Sequence, residues 1–337
     1  MKVGAITNLP DSGDELGRRA RLMDKSGLDS LWTYETYFAA ESFSRAGFIA
    51  ACTENVKIVS GVVNPYSRHP GLIALGAATL DRLSNGRLIL VVGAGGKEWT
   101  ESILGYRRKK PVSDVAISIE VVRKLLAGGR VSAESAGFSI NGAQLDEPPI
   151  RPSIPIYVAA ERQSMMKTAA KVGDGVWLFQ MPSMGYVRWA CDNIRKVRNN
   201  NGHIEVGTVF PIRITDEPTK ELKELKPWMA FYLSLPQIGE QYLLHAGYDS
   251  EILAPIRSAM MTDKLQNPHD AFKVGNVAEA ITHVPNELMD DCTIIGDVAK
   301  CREKLAAIEK AGLTFVVLSF QSKFDETIGK LNEVLPS

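Results

Sequence analysis

Two stretches of this chain gather side chains capable of chemistry. The first is GVVNPYSRHP, residues 61–70, where Asn64, Arg68 and His69 stand close together after the apolar run Ile58–Val62. An amide, a guanidinium and an imidazole can together grip a small polar ligand. Pro70 suits the first turn of the helix that LIALGAATL predicts, so Arg68 and His69 either fix the loop or meet a ligand at the helix start. The second stretch, Gly93-Ala94-Gly95-Gly96-Lys97, resembles a phosphate loop but lacks the third glycine of GxGxxG. Walker A would need a glycine where Val91 stands. A tight turn remains, in which small residues such as Gly95 let a flat ring approach the backbone. Glu35 and Thr36 end the run Ser30–Tyr34, while Asn8 and Glu98 follow the first and fourth apolar runs. A lone carboxylate at such a place is often merely solvated. Trp32, Tyr34 and Tyr37 either wall a pocket there or belong to the core.

These groups share one pocket only if their strands are parallel neighbours. Eight short apolar runs recur along the chain: Val3–Thr7, Ser30–Tyr34, Ile58–Val62, Leu88–Gly93, Ile156–Ala160, Val176–Phe179, Val206–Ile214 and Thr314–Phe320. Most are separated by stretches with helical periodicity, such as Leu16, Ala20, Met23 before Gly27. Continuous rather than alternating apolar runs imply strands buried on both faces, as in a parallel sheet covered by helices. Eight units predict a (β/α)8 TIM barrel, with ligands at the carboxyl ends of its strands. A doubly wound sheet would need a glycine fingerprint after the first strand, and TNLPDSGDE has none. The whole of 1–337 reads as a single barrel domain with insertions near 130–145, patterned like a hairpin, and 215–295, rich in helical periods. The second insertion is long enough to form a lid, a separate helical domain being the alternative. A helix from Asp297 to Ala311, with Val298, Cys301, Leu305 and Ile308 on one face, should feed the last strand.

Composition narrows the function class. The 39 basic and 39 acidic residues cancel, so no bulk field favours nucleic acid or an anionic membrane. The four cysteines form no CxxC pair and the five histidines no HExxH, which argues against a disulfide framework or a metal site. With too short an apolar start for a signal segment and no long apolar span, a cytoplasmic protein is expected.

The segment GVVNPYSRHPGLIALGAATLDRLSNGRLILVVGAG closely resembles the third and fourth units of the bacterial luciferase-like superfamily, in the branch that uses the deazaflavin coenzyme F420 and includes methylenetetrahydromethanopterin reductase. GLDSLWTYE, PIYVAAERQSMMKTAAKVGDGVWL and IIGDVAKCREKLAAIEKAGLTFVVLSF extend the resemblance along most of the chain; residues 215–295 match least. The resemblance implies hydride transfer through the C5 carbon of F420 to or from a small organic substrate with a CH–NH or CH–OH group, no metal, and a homodimer or higher homo-oligomer. It implies a non-proline cis peptide at Gly61–Val62 supporting the coenzyme ring. It places Glu35, Asn64, Gly95, Ala159, Ala160, Arg162 and Gln180 around the coenzyme, with the anionic tail at the helix opened by AAERQ, and it assigns catalysis to Glu98, Thr36 and Asn8. Glu35-Thr36 stands where the family usually has Asp-His, and Gly96 where the branch carries an acid. An FMN-dependent monooxygenase of the same superfamily, or a non-catalytic F420-binding relative, are the alternative readings.

Overall fold

A computed structural model describes residues 1–7, 12–36, 39–198, 202–236 and 238–335, and the side chains of all of these but Glu98 and Ser322. Every one of the eight apolar runs forms a strand: β1 (Lys2–Ile6), β2 (Ser30–Thr33), β3 (Lys57–Val63), β4 (Leu88–Val92), then, after a hairpin of β5 (Val131–Glu134) and β6 (Ser139–Ala143), β7 (Ile156–Ala159), β8 (Gly175–Trp177) and β9 (Glu205–Ile214), and finally β11 (Phe315–Ser319). A short extra strand, β10 (Ile294–Gly296), pairs with residues 212–214 of β9. Pairing runs β1-β2-β3-β4-β7-β8-β9-β11 and returns to β1, so a closed parallel barrel of eight strands results, as expected of a (β/α)8 fold. The helices between strands include α1 (Gly13–Asp24), α2 (Ser42–Cys52), α3 (Pro70–Leu83), α4 (Pro111–Leu126), α5 (Gln163–Val172) and α6 (Met184–Arg198). Among the described residues no helix is long and apolar enough to cross a membrane.

The chain divides into two compact units. The first comprises 1–179, 193–207 and 314–319; the second comprises 180–192, 208–313 and 320–337. The first unit contains the closed barrel, because β8 and β11 bond to β9 at its first residues: Gly175 faces Glu205, and the Thr314 amide donates to Val206 O at 2.8 Å. Four rings from β2, β7, β8 and β11 fill its interior: Trp32 stacks on Trp177 at 4.3 Å and on Phe315 at 5.5 Å, and Tyr157 lies 5.4 Å from Phe315. Glycines make the space, since a Cβ on Gly207 would overlap the Phe315 ring and one on Gly175 would reach within 2.6 Å of Tyr157. Trp32 therefore belongs to the core.

The amino-terminal end of this barrel is pinned by two arginines. In the turn Ser84–Arg87, Asn85 (φ 51°) and Gly86 (φ 74°) both adopt left-handed backbone, the conformation that an Asn-Gly pair tolerates best. The turn delivers Arg87 beneath α2, where its five N–H groups donate to Ser84 O, Thr53 Oγ1, Val56 O, Ala50 O and Thr53 O at 2.8–3.0 Å. Nearby, fully buried Asp81 of α3 accepts from Arg151 Nε at 3.0 Å, and Arg151 Nη2 donates to Leu88 O at 2.7 Å.

The second unit is mostly helical, with α7 (Pro218–Ser234), α8 (Ile238–Leu244), α9 (Leu253–Met260) and shorter helices up to Asp291. The expected helix before the last strand is present as Val298–Lys310. Asp297 caps it by accepting the Lys300 amide at 2.7 Å, and Cys301, Leu305 and Ile308 are buried. Arg213 of β9 is 3% exposed and forms an ion pair with Glu221 of α7 at 3.4 Å.

Replacing Arg87 by Lys removes the planar fork and strands several buried carbonyls, each costing about 1–3 kcal/mol. Arg87→Lys should therefore lower the urea midpoint by the equivalent of roughly 3 kcal/mol with an unchanged slope, and an unchanged midpoint would refute the pinning role.

Candidate functional site

The carboxyl ends of β2, β3, β4 and β7 converge within the first unit, and their backbones are tied edge to edge. Residues Gly61 and Val62 are joined by a cis peptide, as the resemblance implied. Gly61 (φ 153°) has no room for a side chain, because a Cβ would collide with the Val91 carbonyl. Its own carbonyl accepts the Glu35 amide at 3.1 Å, which fastens the end of β2 to β3. One strand further, a Cβ on Gly93 would stand 2.6 Å from Val62 Cγ1 and 2.9 Å from Ala159 Cβ. Val62 and Ala159 thus close over Gly93, so that three adjoining strand ends present small side chains and backbone in one patch.

Charges line the β2 edge of this patch. The Glu35 carboxylate accepts the Ser42 amide at 2.9 Å and lies 3.6 Å from Arg68, whose guanidinium donates to Glu41 at 2.7 Å and sits 5.1 Å above the Phe43 ring. Arg68 therefore bridges two carboxylates. Glu41 is the N-cap of α2, accepting the amides of Phe43 and Ser44 at 3.1 and 2.7 Å. Desolvation alone would raise its carboxyl pKa, but hydrogen bonds from Ser44 and Phe43 and the charge of Arg68 outweigh it and hold the carboxyl below its ordinary value.

The rest of the 61–70 loop serves itself. Asn64 is fully buried, its Oδ1 accepting the amides of Tyr66 and Ser67 at 3.1 and 2.9 Å. The Tyr66 hydroxyl donates to Asp114 of α4 at 2.7 Å, and burial, followed by that bond, pushes its phenol well above the ordinary range. His69 Nδ1 accepts the Gly71 amide at 3.1 Å and caps α3, while Nε2 lies in hydrogen-bond contact with Ser139 O of β6 at 2.9 Å. Of the two readings of His69, loop fixing is the one its bonds express.

The remaining expected residues fall in several places. Thr36 is half-buried, its amide donating to Ala40 O at 2.9 Å. Asn8 and Tyr37 lie outside the described residues. Glu98 opens a π-helical turn, Glu98–Ile103, that follows Gly96. Gly95 (φ 69°) presents its carbonyl to Arg108 Nη1, which also donates to Ala94 O at 3.1 Å. Ala159 borders the patch, but the Ala160 amide is spent on Trp177 O at 2.9 Å. Arg162 is the N-cap of α5 and makes no side-chain capping bond there. Gln180 belongs to the second unit, where its side-chain amide donates to the Tyr232 hydroxyl and its carbonyl accepts from Tyr242. Sequence reasoning missed Glu41, because glutamate is not among the residues that ordinarily signal an N-cap, and Arg108, which lies in a run of four cations with nothing to single it out.

Residues 2–314 match the profile of the luciferase-like monooxygenase family. The chain belongs to that family. Among its luciferase-like relatives, a 5,10-methylenetetrahydromethanopterin reductase of Archaeoglobus fulgidus is 28% identical, with 100% of this chain and 99% of the relative covered. An F420-dependent glucose-6-phosphate dehydrogenase of Beutenbergia cavernae is 32% identical over 171 residues, 46% of this chain and 49% of its own. In fold, the coenzyme F420-dependent tetrahydromethanopterin reductase of Methanopyrus kandleri superposes with a TM-score of 0.83 at 23% identity, covering 99% of this chain and 98% of that one.

Glu41 contributes a pH dependence whose sign follows from its depressed pKa. Its contribution is complete above the ordinary carboxyl value of 4.5 and is lost as the pH falls through the lower value in the folded protein. Between about pH 6 and pH 3, stability of the Glu41→Gln variant measured by urea titration should decline less than that of the parent; parallel curves would show that the cap is uncoupled from titration.

Proposed function

We propose that this luciferase-like protein is an F420-dependent oxidoreductase acting on a small organic substrate with a CH–NH or CH–OH group. The observation that carries this reading is the patch of Val62, Gly93 and Ala159 at three adjoining strand ends, in a chain whose relatives include F420-dependent enzymes. Small residues and bare backbone there suit a planar tricyclic ring. The bound deazaflavin supplies the redox chemistry, accepting or donating a hydride at its C5 carbon.

The protein's own contribution is orientation and charge. Gly93 leaves room for Val62 and Ala159 to close over it, and Gly61 lets β3 approach Val91 closely enough to place Val62 there. Glu35, held by the Ser42 amide and Arg68, borders the ring as a fixed negative group rather than a mobile base. At α5, the first-turn N–H groups have no side-chain cap of their own and suit a phosphate, with Arg162 adjoining. Ala160, whose amide is already bonded, offers only its methyl group. Asn64 acts by stiffening the loop that supports Val62. Beside the reacting carbon, Glu98 is the group suited to move a proton, while the Thr36 hydroxyl and the Asn8 amide would hydrogen-bond and orient the substrate. Thr36 supplies a hydroxyl where the family usually has a histidine, which removes one general acid and widens the space available to a substrate.

Titration of the protein with F420 and with FMN, followed by coenzyme fluorescence, should give micromolar or tighter binding of F420 and far weaker binding of FMN. Preference for FMN would instead favour the monooxygenase reading. Once a substrate is found by screening oxidation of the reduced coenzyme, Glu98→Gln should lower kcat more than coenzyme affinity, whereas Glu35→Ala should mainly weaken binding. Equal losses in both variants would refute that division.

A further inference from the structure

A cleft of about 280 Å³ lies beyond the glycine turn, lined by Glu101, Gly105, Tyr106, Arg107, Arg108 and Lys109. Its charge is unbalanced. Arg107, Arg108 and Lys109 are followed by Lys110, and the lining holds one carboxylate, Glu101, which lies 3.7 Å from Arg108. These cations lead directly into α4, whose N-cap is Lys110 with no side-chain capping bond and whose first turn begins at Pro111. The positive end of a sixteen-residue helix is an unfavourable place for four consecutive cations, since the unpaired N–H groups there favour negative charge. Asp114, the acid of that first turn, is fully buried and takes the Tyr66 hydroxyl. Locally disfavoured charge of this kind marks a functional position.

Arg108 connects the cleft to the coenzyme patch. Its Nη1 bonds the carbonyls of Ala94 and Gly95, its backbone amide donates to Glu101 at 3.3 Å, and its Nε is buried with no hydrogen-bond partner among the described residues. One side chain thus borders both the turn after β4 and the cleft.

Resting on the function proposed above, we propose that this cleft binds a chain of carboxylates and that its occupant is the outer, carboxylate-bearing end of the deazaflavin coenzyme's tail, beyond the phosphate assigned to the start of α5. A tail running outward past the Gly93–Gly96 turn would meet Arg108, which bonds that turn, and then the exposed Arg107 and Lys109 on either side of it in sequence. The ring is then read by the strand ends and the tail by electrostatics, so the two contributions separate in their response to salt.

The test uses the full chain and the Arg107→Ser/Lys109→Ser double variant with three probes: tailed F420, the tail-free deazaflavin, and a tri-γ-glutamate peptide. Fluorescence quenching reads the first two and calorimetry the third. At about 50 mM salt the double variant should bind tailed F420 roughly tenfold more weakly, with the loss shrinking at about 500 mM, while tail-free affinity stays unchanged. The peptide should give a binding heat with the parent and none with the variant, and Lys109→Arg should retain it. Equal loss for tailed and tail-free forms, no loss for either, or equal heats from inorganic phosphate and the peptide would overturn the assignment. If the parent binds neither deazaflavin, the proposed function fails, and the peptide arm alone still decides whether the cleft holds carboxylates.

Discussion

The barrel closes around four aromatic rings, and every site described above depends on that packing. Eight strands leave an interior only wide enough for side chains, so each large ring must face a small residue. Trp32, Tyr157, Trp177 and Phe315 can lie together because Gly175 and Gly207 have no side chain to compete for the same volume. Rings so confined hold β2, β7, β8 and β11 at fixed spacing. The carboxyl ends of β2 and β7 inherit that spacing, which is why Glu35 and Ala159 reach the same region as the ends of β3 and β4 without long loops.

The same economy recurs at the strand ends, where the decisive groups are absent atoms. Gly61 and Gly93 are sites of close approach, to Val91 in one case and to Val62 and Ala159 in the other. Around them the polar side chains are already engaged: Arg68 by two carboxylates, Asn64 by its loop, His69 by the start of α3 and the hairpin. Such prior commitment is preorganisation, since groups fixed before a ligand arrives lose little further freedom on binding.

The barrel was legible because its strands are apolar on both faces and its connections long enough for helices, a pattern that few other folds produce. The strand ends followed from it, and with them the neighbourhood of Glu35, Val62, Gly95 and Ala159. The partner of each side chain was not legible. Asn64 and Ala160 looked like ligand donors, yet their polar groups are spent on the loop and on Trp177, because a buried amide takes the nearest backbone partner. Trp32 read equally well as pocket wall or core, since a strand residue of this fold faces one or the other only once the barrel has closed. Arg87 stood inside a recognisable motif, but its role lies in five acceptors that are distant in sequence or invisible in it.

Four of those five acceptors are backbone carbonyls. A fastening made to main chain is indifferent to which side chains the fastened elements carry, so α2 and β3 can drift in sequence while their positions hold. This offers a physical reason why a fold matching at a TM-score of 0.83 can coexist with 23% identity. Arg87 makes these bonds at the amino-terminal end of the barrel, opposite the strand ends that carry Glu35, Val62, Gly93 and Ala159, so the fastening of the fold and the proposed site occupy different ends of the same strands.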